Sequence, residues 1–309
     1  MHKIFPLSVM IVFMITLVTQ LVGGAEPLKG NIINIWRSGS YTLRQECFMS
    51  LISSVQKEVV SKDQTQMLFT WQANISELQD DGFQKMELRA TRIMLRFSEK
   101  GKDVAFFDSS NKSINTQFVE EVFEHFIGTP IMVTFKNGTV IDVSVASDLW
   151  NDMPEPTSDD DAFFLERFKN LPSKENFVFI FDPFSWVSNP KQVGVKEEWK
   201  NKIQLILPVV NESSFVWNCK LNSIKKVGTL TLAEVVATGN LDVILTETAS
   251  ASVKAELKAN FDSSVGMPNE IEAKTTVSAV KNLKKSECPE TKVVALQRNS
   301  LRVLPLTKK

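Results

Sequence analysis

Two copies of the tetrapeptide Phe-Asp-Ser-Ser contain the residues best suited to acid–base chemistry in this chain. The copies occupy residues 107–110 and 261–264, and each follows a stretch of alternating apolar residues. Two carboxyl groups held about 5–9.5 Å apart can act together in a hydrolase, so Asp108 and Asp262 are the candidate catalytic pair. Aspartate and serine also commonly end strands, because their side chains bond nearby backbone N–H groups. We expect this second arrangement at both copies.

Histidine chemistry beyond the first residues of the chain depends on His125, which lies on a predicted helix four residues after Glu121. Both residues fall beside the apolar stripe of that helix, so we interpret them as part of its solvent-exposed face. The alternative is that His125 acts as a general base. The chain has no phosphate-binding loop, dinucleotide-binding, nucleophile-elbow or Cys-x-x-Cys motif. We therefore expect no cofactor and no metal, and we favour a protein without catalytic activity.

Three cysteines are too scattered along the chain to form a zinc module, namely Cys47, Cys219 and Cys288. Cys47 and Cys219 fall within apolar patterns, which favours buried thiols. In an oxidising compartment one disulfide among the three is the alternative, with a pairing that the sequence does not define. Four glycosylation sequons are also present, and they would be used only in a eukaryotic source: Asn74, Asn111, Asn137 and Asn211.

The first 25 residues have the layout of a secretory signal peptide. A basic tip at Lys3 precedes an apolar run over residues 7–18, and small residues lead to a predicted cleavage site after Ala25. The apolar run is shorter than a typical membrane span of about 18 residues or more, although an uncleaved anchor is the alternative. We expect an exported protein, periplasmic or secreted, with no membrane span after cleavage.

Composition excludes one class of partner and favours another. The 35 basic and 36 acidic residues nearly balance, and no basic block is long enough to follow a phosphate backbone, so we expect no nucleic acid partner. Aromatic residues are dominated by 21 Phe and 6 Trp against a single Tyr. Side chains without a hydroxyl favour a filled core or an apolar pocket.

Most of the chain shows the period-two alternation of half-buried strands. Residues 253–261 and 271–279 alternate cleanly on either side of a turn, which predicts a long antiparallel hairpin. A change of apolar phase predicts a β-bulge at Thr91-Arg92. Matching the apolar faces around Asn137-Gly138 predicts a three-residue loop over residues 136–138 with Gly138 in the left-handed region.

Helical spacing appears in two places, over residues 118–126 and after Ser158. We therefore predict an α+β fold that is mainly β, with curved antiparallel sheets in two β-rich halves and two amphipathic helices. The predicted segments are a signal peptide (1–25), an N-terminal half with one helix (26–152), a helical, proline-containing connector (153–190) and a C-terminal antiparallel half (191–309).

The pattern Pro190, Val193, Gly194 and Trp199, after a strand ending in Phe-Asp-Ser and a hairpin with Asn-Gly, resembles a bacterial family of exported β-rich proteins without known activity. In this chain four residues separate Gly194 from Trp199, a wider spacing than in that pattern. The resemblance implies an envelope location, periplasmic or at the surface, and it supplies no catalytic residues.

These observations favour an exported, non-catalytic binding or structural module of the cell envelope that holds an apolar small molecule or a partner protein. An exported hydrolase that uses carboxylates is the first alternative, and a secreted or surface glycoprotein is the second.

Overall fold

The computed structural model describes residues 32, 34–111, 117–145, 149, 153–159, 161–162, 165, 169, 172–189, 191–207, 210–246, 249–281 and 291–305. The strands are β1 (Gly39–Val55), β2 (Glu58–Ile75), β3 (Phe83–Glu99), β4 (Lys102–Asp108), β5 (Pro130–Lys136), β6 (Thr139–Val145), β7 (Glu198–Leu207), β8 (Val210–Val227), β9 (Leu230–Thr246), β10 (Ala249–Asp262), β11 (Met267–Lys281) and β12 (Thr291–Pro305). Three helices have defined ends: α1 (Gln117–Phe126), α2 (Lys174–Phe181) and α3 (Pro183–Trp186). Further helical residues follow Ser158, whose Oγ accepts a hydrogen bond from the Asp161 N–H.

All strands belong to one antiparallel sheet of 12 strands, with the order β6-β5-β3-β2-β1-β12-β11-β10-β9-β8-β7 and β4 paired to β3. The predicted α+β fold with two β-rich halves is therefore wrong, because the protein is 67% strand and 12% helix and its sheet is continuous. The junction is the pairing of β1 with β12, which runs from Tyr41 opposite Pro305 to Val55 opposite Thr291. Period-two alternation identifies strands but carries no signal for this pairing between the first and last strands.

The sheet curls around α2 and α3. Helix α2 contacts edge strand β6 and central strand β12, whereas α3 contacts β11 and the opposite edge strand β7. In a flat sheet the ten strand spacings between β6 and β7 would measure about 48 Å, but two consecutive helices of 8 and 4 residues extend only about 20 Å. Strong curvature is therefore required for both edges to reach the same short helical segment.

Side chains on the concave, helix-bearing side form the inner face, and those on the opposite side form the outer face. Inner positions near the helices are fully buried, such as Leu43 on β1, Leu88 on β3 and Val133 on β5. Aromatic rings fill the space between this face and the helices. The Trp36 ring lies 5.6 Å from Phe181 and 6.0 Å from Phe184, measured between centroids and edge to face in both cases. One aromatic-rich core therefore holds the helices against the sheet.

Two ends of the sheet are distinguished below. The helix end contains the turns at Asn137-Gly138, at Gly228 and at residues 263–266. The first of these turns lies beside the helices, since Val140 donates a hydrogen bond to Asp182 at the end of α2. The distal end contains the turns at Gln56-Lys57 and Lys100-Gly101, together with the adjacent ends of β9, β10, β11 and β12. Because neighbouring strands are antiparallel, these turns fall at opposite ends of strands that reach 18 residues.

The predicted bulge and the predicted β10–β11 hairpin are confirmed. Thr70 faces Arg92 and Trp71 faces Ala90, which leaves Thr91 as the extra residue in β3. The loop prediction over residues 136–138 is wrong in length, since Lys136 pairs with Thr139 around a two-residue Asn137-Gly138 turn. Both turn residues have positive φ, 51° and 79°, as a type I′ turn requires. The apolar faces match through a register shift one residue farther along.

Candidate ligand-binding face

The inner face continues as an apolar surface beyond the part that contacts the helices. Leu51 on β1 faces Ala295 on β12, Ala295 faces Val277 on β11, and the row extends through Val253 on β10 to Leu241 on β9. The next row toward the distal end runs through Val293, Ala279, Ala251 and Val243. We call these nine residues the distal inner face.

Burial is uneven across the distal inner face. Leu241 and Val253 pack against the main core, whereas Ala251, Ala279 and Val293 form their own small buried cluster with Leu51 packed against it. Leu51 and Val277 are half-buried, in contrast to the complete burial of Leu43 on the same face of β1. Alanine and valine side chains dominate the centre of this surface, so its floor is shallow.

Inner positions over most of the five central strands carry no charge. The uncharged alternate residues are 43–55 on β1, 291–303 on β12, 271–279 on β11, 251–261 on β10 and 233–243 on β9. Lys281, the next inner position of β11, is the exception among the described residues and lies opposite Ala249 and Thr291 at the distal end. Charged residues on the outer face form ion pairs such as Lys258 with Glu234 and Arg302 with Glu270. A surface with its one charge at the rim is suited to an apolar occupant, because burying an unpaired charge is costly.

A short polar band, confined to β12 and β11, lies on the inner face between the main core and the distal inner face. Asn299 faces Cys47 and Ala273, and one step farther along β12 Gln297 faces Met49 and Thr275. The Asn299 Oδ1 atom is buried and has no hydrogen-bond partner among the described residues. By contrast, the Gln45 side chain accepts a hydrogen bond of 3.0 Å from the Trp71 indole. The band can therefore supply hydrogen-bonding groups beside an otherwise apolar surface.

The structure places Asp108 and Asp262 at strand ends, in matching local geometry. The Asp108 Oδ1 accepts hydrogen bonds from the Ser110 N–H (2.9 Å) and Oγ (2.6 Å). The Asp262 Oδ1 accepts the equivalent bonds from Ser264, at 3.1 and 2.6 Å. Each tetrapeptide thus closes its strand with a turn of the kind that aspartate and serine favour.

The two carboxylates are not brought together. Asp108 is on β4 and Asp262 is on β10, and strands β3, β2, β1, β12 and β11 lie between them in the sheet. Six strand spacings correspond to about 29 Å along the sheet, and both side chains belong to the outer face, where curvature increases the separation. This arrangement offers no cleft between the two groups.

The pKa of the Asp108 carboxyl is determined by its contacts at the end of β4. Burial by itself would raise the pKa of the Asp108 carboxyl, but hydrogen bonds from Ser110 and the Arg92 guanidinium outweigh it and hold the pKa below its ordinary value. The Arg92 Nη2 lies 3.0 Å from the Asp108 Oδ2. An ionised carboxylate held this way stabilises the strand end and is a poor proton donor at neutral pH.

His125 is exposed in the last turn of α1. Its carbonyl oxygen accepts a hydrogen bond from the Thr129 hydroxyl at 2.7 Å, which helps end the helix before Gly128. Glu121 accepts a hydrogen bond from the Gln117 side chain at 2.9 Å. The buried face of the same helix consists of Val122, Phe123 and Phe126, so His125 points away from the core.

Cys47 and Cys219 are buried free thiols on the inner face. They lie on β1 and β8, with four strands between them, which is far beyond the reach of a disulfide. Burial raises the pKa of each thiol to about 12, so both are protonated at neutral pH and are poor nucleophiles. Cys288 lies outside the described residues, and a bond involving it stays a prediction.

The predicted glycosylation sites have different surroundings. Asn74 is exposed and its Oδ1 accepts a hydrogen bond from the Ser40 hydroxyl. Asn111 is exposed just after β4, and Asn137 lies in the β5–β6 turn. The side chain of Asn211 is outside the described part of the chain. Glycan attachment at any of the four stays a prediction.

Sequence patterns missed the buried polar residues that hold the sheet edges to the helical segment. Asp182 is 0% exposed, and its Oδ1 accepts a 2.8 Å hydrogen bond from the Val140 N–H at the start of edge strand β6. At the other edge, Asn201 on β7 donates to the carbonyl oxygens of Trp186 and Ser188, both at 2.8 Å. The sequence gives one signal for Asp182, its position before Pro183, and this position falls within the predicted connector.

Among the described residues, no group of three or more His, Cys, Asp or Glu side chains is arranged to hold a metal ion. In the same part of the chain, no helix combines the length and apolar character needed to cross a membrane.

Comparison with known proteins gives no family. No protein-family model and no curated protein matches the chain. Solved structures similar to it include lipovitellin, studied for its lipid–protein interactions, with 10% identity and a TM-score of 0.44 over 88% of this chain. This chain spans only 26% of the lipovitellin chain.

Two bacterial structures, the first an outer membrane channel, match at lower similarity. A channel from Pseudomonas putida F1 matches with 8% identity and a TM-score of 0.18, over 92% of this chain and all of that one. The translocator domain of the autotransporter NalP from Neisseria meningitidis has 8% identity and a TM-score of 0.20, over 86% of this chain and 90% of that one. These likenesses fall below a TM-score of 0.5, so the predicted binding role and envelope location rest on the chain's own residues.

Proposed function

We propose that this protein is an exported binding protein that holds an apolar small molecule, such as an acyl chain, against the distal inner face. The observation that carries the proposal is the apolar distal inner face, whose rows continue in register across up to five strands. A flexible apolar chain can follow a shallow curved floor of Ala and Val side chains, and burial of its surface supplies the affinity, about 25 cal/mol per Å².

Selectivity in this proposal comes from the polar band. Asn299 and Gln297 lie next to the apolar rows, so a ligand with one polar group can place that group at the band and its apolar portion along the distal inner face. The described inner positions opposite Asn299 and Gln297 carry no positive charge, and Lys281 lies at the other end of the apolar rows, so the band favours a neutral polar group, such as a hydroxyl or an ester, over a buried carboxylate.

Export belongs to the same proposal. The segment over residues 1–25 is proposed to direct secretion and to be cleaved after Ala25, which would place the mature protein in the periplasm or outside the cell. Mass measurement of the protein recovered from its native compartment tests this, with an N-terminus at Glu26 as the expected result. An intact N-terminus on membrane-bound protein would contradict cleavage.

A matched pair of variants tests the ligand site. Val277 is on the inner face of β11 and its neighbour Ser278 is on the outer face of the same strand, so Val277→Glu introduces a carboxylate at the site and Ser278→Glu introduces it outside. Affinity for a fluorescent long-chain alcohol is measured by titration. We expect Val277→Glu to weaken binding by at least about tenfold, equal to about 1.4 kcal/mol, while Ser278→Glu binds like the wild type.

Circular dichroism and thermal unfolding establish that both variants keep the sheet. Equal affinities for the two folded variants would contradict the proposed site. Recovery of protein without any lipid after extraction and mass spectrometry, together with no uptake of the fluorescent alcohol, would contradict the binding function itself.

A further inference from the structure

Large apolar side chains are exposed at the distal end. Val59 and Val60, beside the β1–β2 turn, are 64% and 54% exposed, and Ile244 near the end of β9 is 80% exposed. Val59 and Ile244 are on the outer face, opposite Ser54 and Ser250, so neither contributes to the core. Val59 and Ile244 lie on β2 and β9, five strand spacings or about 24 Å apart along the sheet, so they form two separate exposed tips at one end of the molecule.

The geometry of the β1–β2 turn makes Val59 and Val60 prominent. Gln56 and Lys57 both have positive φ, 50° and 73°, as in the tight two-residue turns that connect hairpin strands. A register shift between Ser53 and Ser54 follows directly, and it accommodates Val60 as an extra residue. The turn and the shift together place two adjacent valines at the tip, where regular alternation would expose only one.

Basic residues surround the Val59-Val60 tip. Exposed lysines at this end of the described strands are Lys57, Lys62, Lys100, Lys102 and Lys292. Exposed acids at the same strand ends are Glu58, Glu99 and Asp242. Asp242 lies on the same face of β9 as Ile244, and Glu99 lies 3.7 Å from Lys100. Lysines around exposed apolar side chains complement an anionic lipid surface, since the apolar groups enter the interface and the ammonium groups meet the phosphates.

We infer that the distal end docks on a lipid bilayer that carries anionic headgroups, with Val59, Val60 and Ile244 inserted into the interface. Proximity supports this orientation, because the distal inner face lies at the same end of β9–β12 and β1, so docking of this end would bring that face close to the bilayer. That part of the reasoning rests on the proposed function, whereas the exposed tips and their charge do not.

Co-flotation of the mature protein with vesicles tests the inference. Wild-type protein is expected to float with phosphatidylcholine vesicles that contain phosphatidylserine, and to float less with phosphatidylcholine alone. The combined change Val59→Ser, Val60→Ser and Ile244→Ser is expected to weaken vesicle binding by at least about tenfold, since each apolar methylene removed from the interface costs about 0.8 kcal/mol.

A competing surface provides the matched control. The β8–β9 turn at the helix end also exposes two apolar residues, Ile224 at 44% and Val227 at 56%, with Lys225 and Lys226 between them. Ile224→Ser with Val227→Ser is expected to leave flotation unchanged. Loss of flotation in this control with retention in the distal variant would overturn the inference, and so would absence of wild-type binding to anionic vesicles.

The two proposals fail separately. Titration with the fluorescent alcohol in solution reports on the distal inner face, while flotation reports on the tips. A distal-tip variant that no longer floats but still binds the alcohol supports docking as a distinct property of the tips. Flotation that is lost only together with alcohol binding would contradict docking through these side chains.

Discussion

The two halves of the inner face share one sequence pattern but differ in what covers them. At the helix end, Leu43 and Val133 are completely buried beneath an aromatic core. At the distal end, Leu51 and Val277 continue the same alternation and are only half-buried. Alternation therefore predicts which face of the sheet is apolar, but it does not predict which elements pack against that face. In this account, helices cover one half and an apolar ligand covers the other.

The two halves should differ most in their response to alanine substitution of two leucines on the same face of β1. Leu43→Ala removes a side chain that is 0% exposed, and it is expected to lower the free energy of unfolding by about 2–5 kcal/mol. Leu51→Ala is expected to cost less than about 1.5 kcal/mol in ligand-free protein, because Leu51 is already partly in contact with solvent. Chemical denaturation measures both, and similar losses would contradict the division into two halves.

Ligand binding is expected to stabilise the distal half and so to reduce the difference in stability between the two halves. Saturation of wild-type protein with the long-chain alcohol at about one hundred times Kd should raise the free energy of unfolding by about 2.7 kcal/mol. Val277→Glu, which binds at least about tenfold more weakly, should gain no more than about 1.4 kcal/mol from the same concentration, and Ser278→Glu should gain as much as the wild type. Thermal unfolding with and without the alcohol provides the measurement, and an equal gain for both variants would remove the site from this face.

Gly138 joins the helix end to the N-terminal segment. It has φ of 79° in the Asn137-Gly138 turn, and an added Cβ would lie 2.3 Å from the Asn34 backbone oxygen. Gly138→Ala is therefore expected to destabilise the protein by about 1–3 kcal/mol through strain and displacement of Asn34. Gly101→Ala provides the control, since Gly101 also has positive φ, 78°, but nothing lies within 4 Å of an added Cβ. Equal losses would show that the contact with Asn34 has no effect.

The smallest expected effect concerns Asp108. Its pKa is lowered in the folded protein, so its contribution to stability is present above the ordinary value of 3.8 and is lost as pH falls through the lower folded-state pKa. Asp108→Asn is expected to cost less than about 1 kcal/mol at pH 7, because the Arg92 partner is partly exposed. The cost should disappear in strong acid. A cost that persists unchanged when the carboxyl is protonated would assign the effect to shape alone.

Local features of this fold follow from local patterns. The bulge at Thr91 could be predicted because it shifts the apolar phase within β3, and the β10–β11 hairpin because both strands alternate on either side of a single turn. The β5–β6 register was predicted incorrectly, because Asn137-Gly138 turn chemistry and apolar matching favour different loops. The structure accommodates both by shifting register inside the hairpin.

Long-range features do not follow from local patterns. Pairing of β1 with β12 joins residues more than two hundred positions apart, and two patterned segments carry no mark of their partner. The distal inner face depends on this pairing, because Leu51 and Val277 share a row only through Ala295. Sequence reasoning therefore reached an apolar binding role in general terms, but the residues of the site required the sheet order.

Photo-crosslinking tests the central claim most directly. A long-chain alcohol with a diazirine on its alkyl chain is bound to wild-type protein and irradiated. The crosslinked residues are then mapped by peptide mass spectrometry. The account predicts crosslinks on inner-face residues of β1, β9, β10, β11 and β12, including Leu51, Val253 and Val277. Crosslinks confined to the outer face, or spread equally over both faces, would contradict a ligand site on the distal inner face.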